Sequence, residues 1–154
     1  FIIIADGLND PHNLGSIIRS ANAAGAHGVI IPKNRSVSLN SVVAKVSTGA
    51  VEYTPVARVT NIAQTIEKLK KEGLWICGTA LEASEDYFDA DLTGALAIVI
   101  GSEGEGISRI VRESCDFLVK IPMIGQTESL NASVAAGILL YESLRQRNAA
   151  NKKG

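Results

Sequence analysis

Val119-Lys-Ile-Pro-Met-Ile-Gly-Gln-Thr-Glu-Ser-Leu-Asn-Ala-Ser133 is the stretch on which the reading of this 154-residue chain turns. An apolar strand, Phe117 to Ile121, runs into Pro122, which has no N–H to give a sheet ladder and so marks the strand's end. A polar loop with a flexible Gly125 follows. Ser129 or Asn131 then caps a long helix by accepting from backbone N–H groups that have no partner within it. A strand end that feeds a polar loop and a helix start is where open α/β sheets build ligand sites. It is also an ordinary connection in any α/β protein, so the rest of the chain has to decide.

Outward from this stretch, short β-rich runs alternate with helical patterns. Strands are predicted at Phe1–Ala5, Gly28–Pro32, Val56–Val59, Leu74–Thr79, Leu96–Ile100 and Phe117–Ile121. Several are unbroken apolar runs, as parallel strands buried on both faces require. Helical patterns fall at about residues 14–25, 39–50, 60–72, 107–115 and 130–148. The expectation is an α/β domain with a mostly parallel six-stranded sheet and helices on both faces, spanning residues 1–147. Residues 148–154 read as a flexible tail. The chain opens on Phe1 rather than Met, with strand pattern from the start, so an upstream segment is expected.

Composition excludes several classes. At 46% hydrophobic and 20% charged, the chain is neither disordered nor membrane-embedded, and no apolar run reaches the roughly 18 residues of a membrane span. Cys77 and Cys115 lie far apart, and with only two histidines they make no zinc spacing; two buried thiols in a cytoplasmic protein is the reading. A formal net charge of −1 gives no global attraction to nucleic acid. Lys33, Arg35, Lys45 and Arg58 are scattered cations around the second and third strands, able to touch phosphate or simply solvated.

Three local patterns carry chemistry. After the first strand, Asp10 or Asn13 can cap a helix whose Leu14, Ile17, Ile18 and Ala21 form one buried stripe, with Arg19 off that stripe and Gly25 as its stop. After the fifth strand comes Gly101-Ser-Glu-Gly-Glu-Gly106, where three glycines in six residues demand positive φ or close approach of backbone. Its order is neither that of a dinucleotide fingerprint nor that of a P-loop. In the last helix, only Ser133 is polar between Ala132 and Tyr141, so its first turns are predicted to be enclosed by another chain element or a second subunit.

In this order the patterns resemble the three motifs of the SpoU/TrmH family: Asn13-x-Gly-x-x-x-Arg19, Ile100-Gly-Ser-Glu-Gly-Glu-Gly-Ile-Ser108, and Ile121-Pro-Met with Glu128-Ser-Leu-Asn-Ala-Ser133. The similarity runs from Phe1 to about Arg147. Asp10-Pro-His-Asn, Ile31-Pro-Lys and Arg58-Val-Thr-Asn look most like the branch that methylates a guanosine 2′-OH in 23S rRNA. The resemblance implies an S-adenosylmethionine-dependent RNA ribose 2′-O-methyltransferase of the SPOUT class. It implies a C-terminal trefoil knot, against the general rarity of knots, a cytoplasmic homodimer packed partly through the last helix, no metal, and an N-terminal RNA-binding domain outside this chain.

By the same resemblance, Asn13, Arg19, Glu103, Ser129 and Asn131 are catalytic. The cofactor is held by Thr79, Ala80, Gly101, Ser102, Gly104, Gly106, Ile121, Met123, Ser129 and Leu130. Methyl transfer to a ribose oxygen is an in-line displacement, so alignment dominates and the hydroxyl must lose a proton. Arg19 is assigned to the adjacent phosphate and to developing alkoxide charge, rather than to proton removal. Glu103 orients Arg19 or Asn13, and Ser129 and Asn131 fix ribose or cofactor. Within the class, a tRNA 2′-O-methyltransferase is the nearest alternative; outside it, a non-catalytic RNA-binding or ribosome-assembly module.

Overall fold

The first strand, β1 (Ile2–Asp6), shows the logic of the whole sheet: Ile3 and Ala5 point into one apolar core and Ile4 into a second. Side chains alternate across a strand, so a strand apolar at every position must be covered on both sides. A computed structural model describes residues 1–8, 10–33 and 49–153. β2 (Gly28–Pro32), β3 (Val56–Val59), β4 (Trp75–Thr79), β5 (Leu96–Gly101) and β6 (Phe117–Val119) join β1 in one sheet of order β3-β2-β1-β5-β4-β6. Every pairing is parallel, with Ile4 opposite both Ile30 and Val99.

On one face lie α1 (Pro11–Ala23) and α4 (Ala132–Lys153), which bury Leu14, Ile17, Ile18, Leu139 and Leu140 against Ile3, Ile31 and Ile98. On the other lie α2 (Ile62–Lys71) and α3 (Arg109–Ser114), with Ile62, Ile66 and Val111 against Ile4, Ile30 and Val99. Asp10 caps α1 through His12 N–H at 2.8 Å, and Pro11 starts the helix three residues before the apolar stripe. Gly25, at φ 82°, ends it, with Ala26 N–H reaching back to the Ala21 carbonyl at 2.8 Å.

Two boundaries differ from the sequence reading for a visible physical reason. β6 stops at Val119 instead of Ile121, because Lys120 turns to the segment after β4: its N–H donates to the Glu85 carbonyl and its own carbonyl accepts from Tyr87. The tail expected to fray from Asn148 continues α4 to Lys153, where alanines favour helix and Lys152 suits its C-terminal dipole. The helix expected at about 39–50 lies almost wholly outside the described residues, with Arg35 and Lys45; Ala50–Glu52 form a short 3-10 turn.

α4 also departs from the expected all-round enclosure. Ala132, Ala136, Leu139 and Leu140 are buried, but Val134 and Tyr141 remain 50% and 49% exposed on its other side. Within one chain, α1 and the sheet cover only one face. To reach that position, residues 120–131 leave β6 at the sheet edge and return across the C-terminal ends of β4 and β5. This return path builds the site.

Candidate active site at the strand ends

Three loops meet where β4, β5 and β6 end, and they wall a cavity of about 870 Å³ including its open mouth. One wall is the Gly101–Ile107 loop. Gly106 N–H donates to the Ser102 carbonyl at 2.8 Å, closing the loop on itself, and Gly104 and Gly106 take φ of 88° and 70°. Gly101 faces the returning strand so closely that a Cβ would lie 2.0 Å from the Gly106 carbonyl carbon. Both reasons for a glycine-rich loop therefore hold, positive φ at two positions and backbone contact at a third.

A second wall is the return segment, with Ile121, Met123, Ser129 and Leu130, and the start of α4 at Ala132 and Ala135. The third is the end of β4, Thr79 to Glu82. Thr79 Oγ1 is tied to the Val99 carbonyl at 3.0 Å, so this wall is braced on β5. Thr79, Ala80, Gly101, Ser102, Gly104, Gly106, Ile121, Met123, Ser129 and Leu130 all line this one cavity. The sequence reading missed Leu81, Glu82, Ile100, Glu105, Ile107, Arg112, Val119, Lys120, Ala132 and Ala135. Ile107, Val119, Lys120 and Ala132 adjoin predicted positions and were within reach. Arg112 carried no local signal: it enters from α3, on the second face of the sheet, and pairs with Glu82 across the cavity's edge.

Asn13 and Asn131, 118 residues apart, are joined by a hydrogen bond from Asn131 Nδ2 to Asn13 Oδ1 at 3.0 Å. Asn131 Oδ1 caps α4 by accepting from Ser133 N–H at 2.9 Å and Val134 N–H at 3.3 Å. The cap is thus Asn131, and Ser129 stays on the cavity wall. At α1 the cap is Asp10, which leaves the Asn13 amide for Asn131. Arg19 is exposed on α1 and does not line the cavity; Glu103 is exposed at the glycine loop. Among the described residues, no salt bridge or hydrogen bond joins Glu103 to Arg19 or Asn13.

The lining mixes apolar surface (Ile100, Ile107, Val119, Leu130) with charge of both signs (Glu82, Glu105, Arg112, Lys120). Such a site suits a ligand with an apolar ring system and a zwitterionic end. The two thiols take no part: burial pushes both Cys77 and Cys115 up to about 12, so they stay protonated near neutrality. Among the described residues there is no group of three His, Cys, Asp or Glu able to hold a metal, and no helix long and apolar enough to cross a membrane.

Comparison with known proteins gives this geometry a context. The family model described as SpoU rRNA Methylase family matches residues 1–141. YacO of Bacillus subtilis (strain 168), named for the TrmH family of tRNA/rRNA methyltransferases, is 59% identical over 148 residues, covering 96% of this chain and 59% of YacO. The chain therefore spans about three-fifths of that relative's length. The SpoU methyltransferase AviRb from Streptomyces viridochromogenes, solved in complex with the cofactor AdoMet, superposes with a TM-score of 0.89 at 37% identity, over 96% of this chain and 58% of that one. A solved RNA 2′-O ribose methyltransferase gives 0.88 at 39% identity, over 96% and 57%.

Proposed function

The chain belongs to the SpoU rRNA methylase family, and on that premise we propose that it transfers a methyl group from S-adenosylmethionine to a ribose 2′-hydroxyl of RNA, with a guanosine of 23S rRNA as target. The observation that carries this reading is the convergence of ten residues from three separate loops on one cavity. The fit of the cofactor is chemical as well as spatial. Its adenine matches the apolar wall of Ile100, Ile107, Val119 and Leu130, and its amino-acid end matches the charged rim of Glu82, Glu105, Arg112 and Lys120. The likeness to AviRb, which was solved with AdoMet, supports the choice of cofactor.

Bound there, the cofactor supplies an electrophilic methyl group. Ser129 on the cavity wall and the Asn13–Asn131 pair at the start of α4 hold the ribose against it. Arg19, exposed and outside the cavity, takes the neighbouring phosphate and stabilises negative charge on the attacking oxygen. An arginine keeps its charge at neutral pH, which suits this role and not that of a base. The half-exposed Val134 and Tyr141 face of α4 supports a homodimer, and the return of residues 120–131 over β4 and β5 supports a knotted threading. The absence of a spanning helix among the described residues is compatible with a cytoplasmic enzyme.

The test is methyl transfer from labelled cofactor to 23S rRNA and to tRNA, followed by alkaline hydrolysis, which a 2′-O-methyl group blocks at the modified nucleotide. Label in an alkali-resistant guanosine of 23S rRNA is the expected result, with at least a roughly tenfold loss in Arg19→Ala. Label in tRNA alone would move the target to that RNA. Cofactor binding without transfer to either RNA would favour the non-catalytic module.

A further inference from the structure

We propose that Asp6 is a positioning residue for the cofactor site, holding both ends of the Gly101–Ser108 loop against the end of β1. The strand pairing sets Asp6 beside Gly101, where the loop begins. Its carboxylate Oδ2 accepts the Ser108 N–H at 2.8 Å, where the loop ends and α3 starts. Asp6 thus satisfies the N–H of the residue that starts α3 from 102 residues away. Asp6 does not line the cavity, whereas Gly101, Ser102, Gly104, Glu105, Gly106 and Ile107 between its two attachments do. The loop's internal closure between Ser102 and Gly106 fixes its shape, the strand pairing places its start, and the bond to Ser108 ties its far end to β1. Seven residues further on, Asn13 holds the other wall through Asn131. Asp6 at the end of β1 and Asn13 at the start of α1 thus clamp two of the three loops that wall the cavity.

This inference rests on the reading that the cofactor binds in this cavity, and its test separates the two. S-adenosylmethionine is titrated into the wild-type chain, Asp6→Ala and Asp6→Asn, with thermal unfolding alongside. A charge-assisted hydrogen bond at a partly exposed site predicts about tenfold weaker binding in Asp6→Ala, with the apparent KM for RNA unchanged. Asp6→Asn, which keeps an acceptor oxygen, recovers most of that loss. A folded Asp6→Ala with wild-type affinity overturns the proposal, as does an Asp6→Asn as weak as the alanine. If Asp6→Ala does not fold, Ser108→Pro removes the same donor at a residue whose φ of −66° proline adopts. It is expected to show the same loss, and wild-type affinity there overturns the proposal. Failure of the wild-type chain to bind would remove the cofactor reading instead. Hydrogen exchange at Ser108 would still test the clamp without ligand: faster exchange in Asp6→Ala supports it, and unchanged exchange overturns it.

Discussion

Asn131 uses the two ends of one amide for different purposes, its oxygen for the first turn of α4 and its nitrogen for Asn13. The two can be separated. Asn131→Ala removes both and is expected to lower stability by about 1–2 kcal/mol, the cost of a lost cap plus one hydrogen bond. Asn131→Asp keeps the cap, since Asp and Asn serve equally there, but places a carboxylate against the Asn13 oxygen. It is expected to unfold in urea within about 0.5 kcal/mol of wild type and still lose methyl transfer. Equal stability loss in both variants would show that the Asn13 link, not the cap, is what α4 needs.

The thiols give a second prediction at this scale. Burial raises Cys77 and Cys115 to about 12 from the ordinary thiol value of about 9, so the folded state holds both protons where the unfolded chain releases them. A group with a raised folded pKa contributes stability that is complete below its unfolded value and lost as pH rises toward its folded one. Stability should therefore be flat with respect to these groups below pH 9 and fall between pH 9 and about 12, by up to about 1.4 kcal/mol per pH unit for each thiol. Denaturant midpoints across that range check it. Replacing both thiols with alanine should remove this part of the slope.

Among the elements, the strands were the most legible. Runs such as Ile2-Ile-Ile-Ala5 and Leu96-Ala-Ile-Val-Ile100 admit little but a strand buried on both faces, and all six strands appear where they were read, within two residues at each end. The cavity lining was legible where its residues sit next to motif signals. What could not be read were contacts between distant positions: Asp6 with Ser108, Asn13 with Asn131, and Arg112 with Glu82. No local periodicity encodes these. β6 was read too long for the same reason, because the partner that draws Lys120 out of the ladder is Glu85 in another loop. α4 shows the converse, since its first turns, Ala132 to Tyr141, are apolar nearly all round while among the described residues only one side of them is covered. If a second subunit covers the rest, Val134→Asp should shift the sedimenting species from dimer to monomer, because an unpaired buried carboxylate is strongly penalised. A wild-type chain that sediments as a monomer would leave that face without the role given to it.

At the scale of the whole molecule, an all-parallel sheet collects the C-terminal ends of its strands along one edge, and the end of β4, the glycine loop and the return segment meet there. The most direct test of the central claim is calorimetric titration of S-adenosylmethionine into the wild-type chain and into Gly101→Ala, with circular dichroism of both. A Cβ at position 101 has to displace the Gly106–Ile107 backbone, which lies 2.0–2.3 Å away, so the wall of the cavity moves. The account predicts saturable one-site binding by the wild type, and at least roughly tenfold weaker binding by a variant that keeps its secondary structure, as expected when a site is displaced by an ångström or so. Equal binding by both proteins would place the cofactor elsewhere, and no binding by a folded wild-type chain would contradict the cofactor site itself.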